Sequence, residues 1–170
     1  MTIRRLTLIH RTMSSIRNNP IQIDGSYQEG GGQILRNAIT YAVLLHKSVT
    51  ISNIRANRPR QPGVRPQHLC GMKLAVEIGN RVEGGSGGEL VGAEVGAKTV
   101  SYVHHEGDGN DGDDVDNTSF IADTGTAGSI ALLLQAALLP GLVRAMKSNS
   151  PMKIELRGGT NASGAPQVRE

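Results

Sequence analysis

Aromatic residues and cysteine are scarce in this sequence of 170 residues. It contains no tryptophan, three tyrosines and one phenylalanine, so Leu, Ile, Val and Ala must supply the core. The same scarcity leaves little material for stacking nucleobases on aromatic side chains. The single cysteine, Cys70, excludes an internal disulfide and suits a reducing compartment, which favours a nuclear or cytoplasmic location. No Cys/His cluster has the spacing of a zinc site.

Long apolar runs are also missing. None approaches the ~20 residues that span a bilayer, so no membrane partner is expected. The first 19 residues contain four arginines and no acidic residue. This composition is typical of a mitochondrial presequence and equally of a disordered extension, so both interpretations stay open for residues 1–20. The length predicts one domain over residues 21–170.

Acidic residues are absent from Gly30 to Val76, whereas basic residues are frequent there. The basic residues in this range are Arg36, Lys47, Arg55, Arg58, Arg60, Arg65 and Lys73. A solvated surface normally mixes both signs of charge. A run of one sign over this length therefore favours a polyanionic ligand over a merely soluble basic loop.

A glycine-rich loop follows the first predicted strand. Residues 24–36 read Asp-Gly-Ser-Tyr-Gln-Glu-Gly-Gly-Gly-Gln-Ile-Leu-Arg, and the apolar residues that follow recur at helical spacing. Consecutive glycines without Cβ atoms let the backbone approach a ligand closely, and the free N–H groups of a starting helix attract anions. The loop is therefore a candidate phosphate site, although it lacks the Gly-Lys-Ser/Thr ending of a P-loop NTPase.

A stiff, cationic connection lies about twenty residues farther along the chain. Residues 54–69 read Ile-Arg-Ala-Asn-Arg-Pro-Arg-Gln-Pro-Gly-Val-Arg-Pro-Gln-His-Leu. The prolines restrain the backbone, and the arginines offer planar groups that match phosphate oxygens. This segment is a second candidate for contact with phosphate.

The two segments together resemble the RNA 3′-terminal phosphate cyclases. Further similarity follows in order: Ala-Asp-Thr-Gly-Thr-Ala-Gly-Ser at 122–129, Gly-Gly-Thr-Asn-Ala at 158–162 and Ala-Pro at 165–166. The resemblance covers about residues 21–167. One departure is Gln28, which stands where the family often has glycine and adds a side chain beside the expected phosphate site.

The resemblance implies an ATP-dependent reaction in RNA processing. Members of this family adenylylate a histidine, transfer AMP to an RNA 3′-phosphate, and release a 2′,3′-cyclic phosphate after the 2′-hydroxyl attacks. Their partners are ATP and RNA 3′ ends, and a divalent metal (Mg or Mn) assists. The resemblance assigns metal binding to Glu29. It assigns nucleotide and phosphate binding to Gln33, Arg36, Arg55, Arg58, Gln67, His68 and Gln135.

The sequence is short for this family, in which the nucleophilic histidine lies well beyond the position of Glu170. None of the five histidines here occupies the nucleophile's motif, and His68 matches the Gln-His-Leu binding motif. We therefore expect an N-terminal portion of a cyclase, without a catalytic residue and inactive alone. Apolar surface left uncovered in such a portion predicts self-association.

Two alternatives stay open. One is a non-catalytic, cyclase-like RNA-binding factor of the kind that serves in ribosome assembly. Such relatives lack the arginine loop and the Gln-His pair, both of which are present here. The other is an enolpyruvyl-transferase-like enzyme, which shares the repeat architecture, but the Glu-Gly-Gly-Gly-Gln sequence disfavours it.

The periodicity predicts alternating strands and helices. Their order resembles the repeated βαβαββ unit of the family, which implies an α+β fold with helices packed on one face of each sheet. One full repeat is expected over about 21–104, an acidic loop over about 105–117, and part of a second repeat over about 118–170. The predicted strands are 21–24, 49–54, 81–83, 99–103, 119–122 and 152–156, with helices at 31–45, 66–79 and 126–145. The glycine-rich stretch 84–88, Gly-Gly-Ser-Gly-Gly, is predicted to form a flexible turn.

The third predicted helix is apolar on all sides, which indicates burial. Gln135 is the polar exception within its apolar run. A buried amide needs hydrogen-bond partners, which backbone groups or a nucleotide could supply. The resemblance favours the nucleotide.

Overall fold

The computed structural model describes residues 19–28, 30–81, 87–106, 119–148 and 151–160. The predicted N-terminal extension, the acidic loop beyond residue 106 and the segment after Thr160 lie outside the described residues. The elements in chain order are β1 (Ile21–Asp24), α1 (Gly32–Leu44), β2 (Val49–Ser52), α2 (Pro66–Asn80), β3 (Gly87–Val91), β4 (Val100–His105), β5 (Ser119–Asp123), α3 (Ile130–Ser148) and β6 (Lys153–Arg157).

The described strands form two sheets. The larger sheet has the order β1-β2-β4-β3, in which β1 and β2 are parallel and the other pairs are antiparallel. The smaller sheet pairs β5 with β6 in parallel. The chain thus completes one βαβαββ unit and begins a second with the same parallel β-α-β arrangement, as the sequence predicts.

The first core lies between the larger sheet and the helices α1 and α2. Alternate residues of β2 and β4 point into it, among them Ile51 and Tyr102, whose side chains are almost fully buried. The opposite face of these strands is polar, where Thr50 Oγ1 and Ser101 Oγ lie 2.9 Å apart. This alternation explains why the helices cover one face only.

The second core lies between the smaller sheet, α2 and α3. Leu74 and Ile78 of α2 pack there with Phe120 of β5 and Leu133 of α3. Since Met72 of the same helix packs in the first core, α2 contributes to both. A buried hydrogen bond from Thr40 Oγ1 to the carbonyl oxygen of Ala136, 3.2 Å long, also joins α1 to α3.

Two predictions about local structure are wrong. Arg81 lies in the turn after α2 rather than in a strand, and the third strand contains Gly87 and Gly88, which we assigned to a turn. The side chain of Asn80 stabilises Gly88 in the strand, although glycine favours turns. It accepts a hydrogen bond from the Gly88 N–H and donates one to the Gly88 carbonyl, both 2.8 Å long.

The third helix begins four residues later than predicted, at Ile130 instead of residue 126. The segment before it forms side-chain hydrogen bonds with its own backbone. The Asp123 carboxylate accepts from the Gly125 N–H at 2.8 Å, and Thr124 Oγ1 donates to the Thr126 carbonyl at 2.7 Å. Such local bonds compete with helix formation.

The expected burial of α3 on all sides is also wrong. Its residues Leu134, Leu138, Leu142 and Met146 are 47%, 48%, 52% and 82% exposed. By length and composition this helix could cross a membrane. About a third of it is buried, and Leu133 packs in the second core, as in a core helix of a soluble protein. Composition alone is therefore weak support for a membrane span.

Candidate functional site

The loop after β1 is held in a tight, hydrogen-bonded turn. The carboxylate of Asp24 accepts from the backbone N–H of Ser26 at 2.9 Å and from its hydroxyl at 2.7 Å. The first of these bonds is the main reason why the pKa of Asp24 is lowered. The Gly30 N–H then donates to the Tyr27 carbonyl at 3.0 Å, with Gly30 in the left-handed region at φ +57°. The turn closes just before α1.

The glycines next to α1 have different surroundings. A Cβ atom at Gly31 would meet nothing within 4 Å, so this position is open to a ligand. A Cβ atom at Gly32 would overlap the imidazole of His68. Gly32 is therefore needed for packing between α1 and α2, not for direct approach of a ligand.

The arginine connection between β2 and α2 packs against the glycine loop. The side-chain amide of Asn57 donates to the Ser26 carbonyl at 2.9 Å, and that of Asn53 donates to the Asp24 carboxylate at 3.4 Å. The backbone of Arg55 adopts φ +53°, which is rare for a residue with a side chain. Such strained positions concentrate at functional sites.

His68 lies at the centre of the site, in the first turn of α2, and is 2% exposed. Its Nδ1 accepts a hydrogen bond from the Arg65 N–H at 3.2 Å, so Nε2 carries the proton in the neutral ring. Burial lowers the pKa of His68 to about 4, with further lowering by Arg55, Arg36 and Arg65. The imidazole is therefore neutral at physiological pH and surrounded by cations.

Two arginines of the site are partly or wholly removed from water. Arg36 on α1 is 8% exposed, and burial lowers its pKa. Burial also lowers the pKa of the half-buried Arg55, with added repulsion from Arg58 and Arg65. The Nε atom of Arg55 is buried and has no hydrogen-bond partner among the described residues. Among the described residues, none of the ion pairs involves Arg36, Arg55 or Arg65.

Three of the assigned binding residues are placed differently. Gln33 is exposed on the first turn of α1, next to the glycine loop. Gln67 packs against the start of α3, where its Oε1 accepts from the Ser129 N–H at 3.2 Å. Gln135 is exposed among the leucines of α3, so it is not the buried amide that the sequence suggested. Glu29, the assigned metal ligand, lies outside the described residues.

Sequence reasoning did not identify the residues that hold the site together. Asn57 joins the two loops, and Gly32 makes room for His68. Arg65, expected from the sequence only to contact phosphate, is the N-cap residue of α2 and orients the imidazole through its N–H. The available signal was the Arg-Pro pair at 65–66, because proline is favoured at the first position of a helix.

The described residues contain no group of three or more His, Cys, Asp and Glu side chains arranged to hold a metal ion. In the described part of the glycine segment, the carboxylate of Asp24 accepts two hydrogen bonds from Ser26. The described residues do not by themselves fit a resident metal.

A cavity of about 370 Å³ lies elsewhere, between α2 and β5. Its lining mixes apolar residues with Lys73, Glu77 and Asp123, and the Cys70 thiol donates to the Asp123 carbonyl at 3.3 Å. Burial raises the pKa of Cys70, with a further contribution from Asp123. The mixed charges distinguish this cavity from the cationic site around His68.

Comparison with known proteins agrees with this arrangement of motifs. The family model described as RNA 3′-terminal phosphate cyclase matches residues 27–170. The chain is 40% identical over 148 residues to the RNA 3′-terminal phosphate cyclase of Saccharolobus islandicus, covering 87% of this chain and 38% of the relative. Proteins of the same name from Methanopyrus kandleri and Pyrococcus furiosus are each 42% identical over 87% of this chain, covering 36% and 37% of their own lengths.

These matches define the class of the protein: it belongs to the RNA 3′-terminal phosphate cyclase family. The chain spans less than two fifths of the length of these curated relatives. Its fold and cationic site therefore represent a part of what the relatives contain.

Proposed function

We propose that this chain forms the nucleotide- and phosphate-binding part of an ATP-dependent RNA 3′-terminal phosphate cyclase. One observation carries the proposal. Arg36, Arg55 and Arg65 lie close enough to the buried imidazole of His68 to lower its pKa, and no acidic side chain among the described residues pairs with them. A phosphate group would supply the missing negative charge.

The arrangement suits an anion for electrostatic reasons. Cations held close together repel each other and are costly to remove from water unless an anion joins them. A bound phosphate would accept charge-assisted hydrogen bonds from the guanidinium groups and would provide a partner for the buried Nε of Arg55. ATP and the 3′-phosphate of an RNA end both carry such groups, and their approach to each other requires neutralised charge.

His68 has a positioning role in this proposal. Its Nδ1 is occupied by the Arg65 N–H and its Nε2 faces Gly32, so neither nitrogen presents a free lone pair to ATP. Because the ring is neutral, it fills the space between α1 and α2 without adding to the repulsion among the arginines. The nucleophilic histidine would come from another part of the full cyclase, and Glu29 with a divalent metal stays a proposal based on family resemblance.

Self-association is a further part of the proposal. The exposed leucines of α3 form an apolar stripe that a monomer in water does not favour. A second copy of the chain could cover it.

Titration with ATP and with a 3′-phosphorylated single-stranded RNA at several salt concentrations tests the binding function. If about three or four phosphate contacts form, the logarithm of affinity should fall with the logarithm of salt with a slope of about −2 to −3. Arg55→Ala should weaken binding roughly tenfold or more, since a hydrogen bond to a charged group is lost.

The matched control is Arg157→Ala. Arg157 is an exposed arginine on β6 that pairs with Glu155, far along the chain from the arginine loop. Its loss should leave both affinity and slope unchanged. If affinity does not depend on salt, or if Arg55→Ala and Arg157→Ala lose affinity equally, the arginine site does not bind the phosphate.

A further inference from the structure

The aromatic ring with the greatest exposure lies on the glycine loop. Tyr102 and Phe120 are each 1% exposed and belong to the two cores, and Tyr41 on α1 is 52% exposed. Tyr27 is 68% exposed. In a chain with only four aromatic residues, one ring is thus placed in solvent beside the candidate phosphate site.

The backbone that carries Tyr27 is fixed on both sides. Its N–H donates to the Asp24 carbonyl at 3.3 Å, and its carbonyl accepts from the Gly30 N–H at 3.0 Å. The following residue, Gln28, adopts φ +54°. A ring on a fixed backbone loses little conformational freedom when a flat partner stacks on it.

The loop is also joined directly to the arginine connection. Tyr27 follows Ser26, whose carbonyl accepts the hydrogen bond from Asn57, and Asn57 lies between Arg55 and Arg58 in the chain. The exposed ring of Tyr27 and the arginines therefore lie on two loops that are hydrogen-bonded to each other. Aromatic rings beside a cationic phosphate site are the usual means of holding a base together with its phosphate.

We propose that Tyr27 is a stacking platform for the nucleobase of the phosphorylated ligand bound at the arginine site. This inference rests on the proposed function. Stacking on Tyr27 would let the site distinguish a nucleotide from a phosphate group that carries no base. The base can belong to an adenine nucleotide or to the terminal residue of an RNA, and the test separates these two sources.

The absence of tryptophan allows a direct optical test. In Tyr27→Trp the single indole reports stacking, because a base in van der Waals contact quenches its emission. The ligands are AMP, a 3′-phosphorylated RNA tetranucleotide, the same RNA with an abasic 3′-terminal residue, and ribose 5-phosphate. Quenching is expected with base-bearing ligands and not with the two that lack a base at the phosphate.

Tyr41→Trp, an exposed ring on α1, is the matched control and should show no quenching. In titrations that do not rely on fluorescence, Tyr27→Ala should weaken binding of the base-bearing ligand roughly 5- to 150-fold. Binding of ribose 5-phosphate should not change, and Tyr27→Phe should retain the wild-type affinity. Quenching by AMP alone assigns the base to a nucleotide, and quenching by the RNA alone assigns it to the RNA end.

The outcomes separate the two proposals. If phosphate ligands bind but Tyr27→Ala has no effect and Tyr27→Trp is not quenched, the stacking inference is overturned and the proposed function stands. If no phosphate ligand binds the wild-type chain, the proposed function fails, and the inference fails with it.

Discussion

The imidazole of His68 occupies the volume in which the side chain of any larger residue at Gly32 would lie. The start of α1 and the first turn of α2 can therefore pack closely because residue 32 has no side chain. This contact limits the movement of the ring whose pKa the nearby arginines lower.

Replacement of Gly32 tests this contact. Gly32→Ala should lower the free energy of unfolding by about 1–3 kcal/mol, because overpacking forces the imidazole or α1 to move. It should also weaken ATP binding. Denaturant unfolding and calorimetric titration measure the two effects.

The neighbouring glycine provides the control. Gly31→Ala meets no atom within 4 Å, so its free energy of unfolding should stay within about 1 kcal/mol of the wild-type value. If it nevertheless weakens ATP binding, the ligand approaches the backbone at this residue. Equal unfolding free energies for the two variants would show that the His68 ring moves aside freely.

Protonation of His68 predicts a pH dependence of stability. The pKa of His68 is lowered from 6.5 in the unfolded chain to about 4 in the folded chain, so its contribution is complete above pH 6.5. As the pH falls from about 6.5 to about 4, the unfolded state takes up the proton first and stability is lost, by on the order of 3 kcal/mol in total.

His68→Asn is the appropriate comparison, because an amide oxygen can still accept from the Arg65 N–H but does not titrate in this range. Denaturant unfolding at pH 7.5 and pH 5 should show a smaller loss in the variant than in the wild type. Parallel losses would assign the acid sensitivity to other groups.

The exposed leucines of α3 predict concentration-dependent association. Leu138→Gln should shift the light-scattering mass toward the monomer, since Leu138 is central in the stripe and 48% exposed. Leu45→Gln serves as the control, because Leu45 is 64% exposed at the end of a different helix. A wild-type chain that stays monomeric at high concentration would contradict the prediction.

Labelled ATP should leave no covalent AMP on this chain. Nδ1 of His68 accepts a hydrogen bond from the Arg65 N–H and Nε2 carries the proton, so the neutral ring has no free lone pair for attack on ATP, and His68 does not match the family's nucleophilic motif. Denaturing gel electrophoresis at alkaline pH, after incubation with ATP labelled in the α-phosphate with and without divalent metal, measures adduct formation, and the acid lability of any label is then checked separately. An acid-labile adduct mapped to His68 would show that the ring acts as a nucleophile.

Elements with strong local signals were predictable from the sequence. The strand at 21–24 and the helix near 66–79 agree with β1 and α2 within one residue, because period, proline and glycine signals coincide there. The late start of α3 was not predictable in the same way, since it depends on hydrogen bonds from Asp123 and Thr124. Burial of α3 was wrong because composition does not show how many neighbours a helix has.

The sequence predicted which residues belong to the site better than it predicted where their side chains point. Resemblance brought together Arg36, Arg55 and His68, which the structure also brings together. It grouped Gln67 with them, yet the Gln67 side chain reaches the start of α3. Side-chain direction depends on tertiary packing, which a motif does not encode.

The shared position of α2 has a thermodynamic consequence. Its first turn carries His68 toward the cationic site, and the adjacent Gln67 holds the N-terminus of α3. An anion that stabilised this turn would also stabilise α3 through the hydrogen bond between Gln67 and Ser129. If the anion thereby changed the affinity of a partner for the leucine face, that partner would change the anion affinity by the same factor. Two surfaces on opposite halves of the chain would then act as linked ligand sites, with one helical turn as the common element.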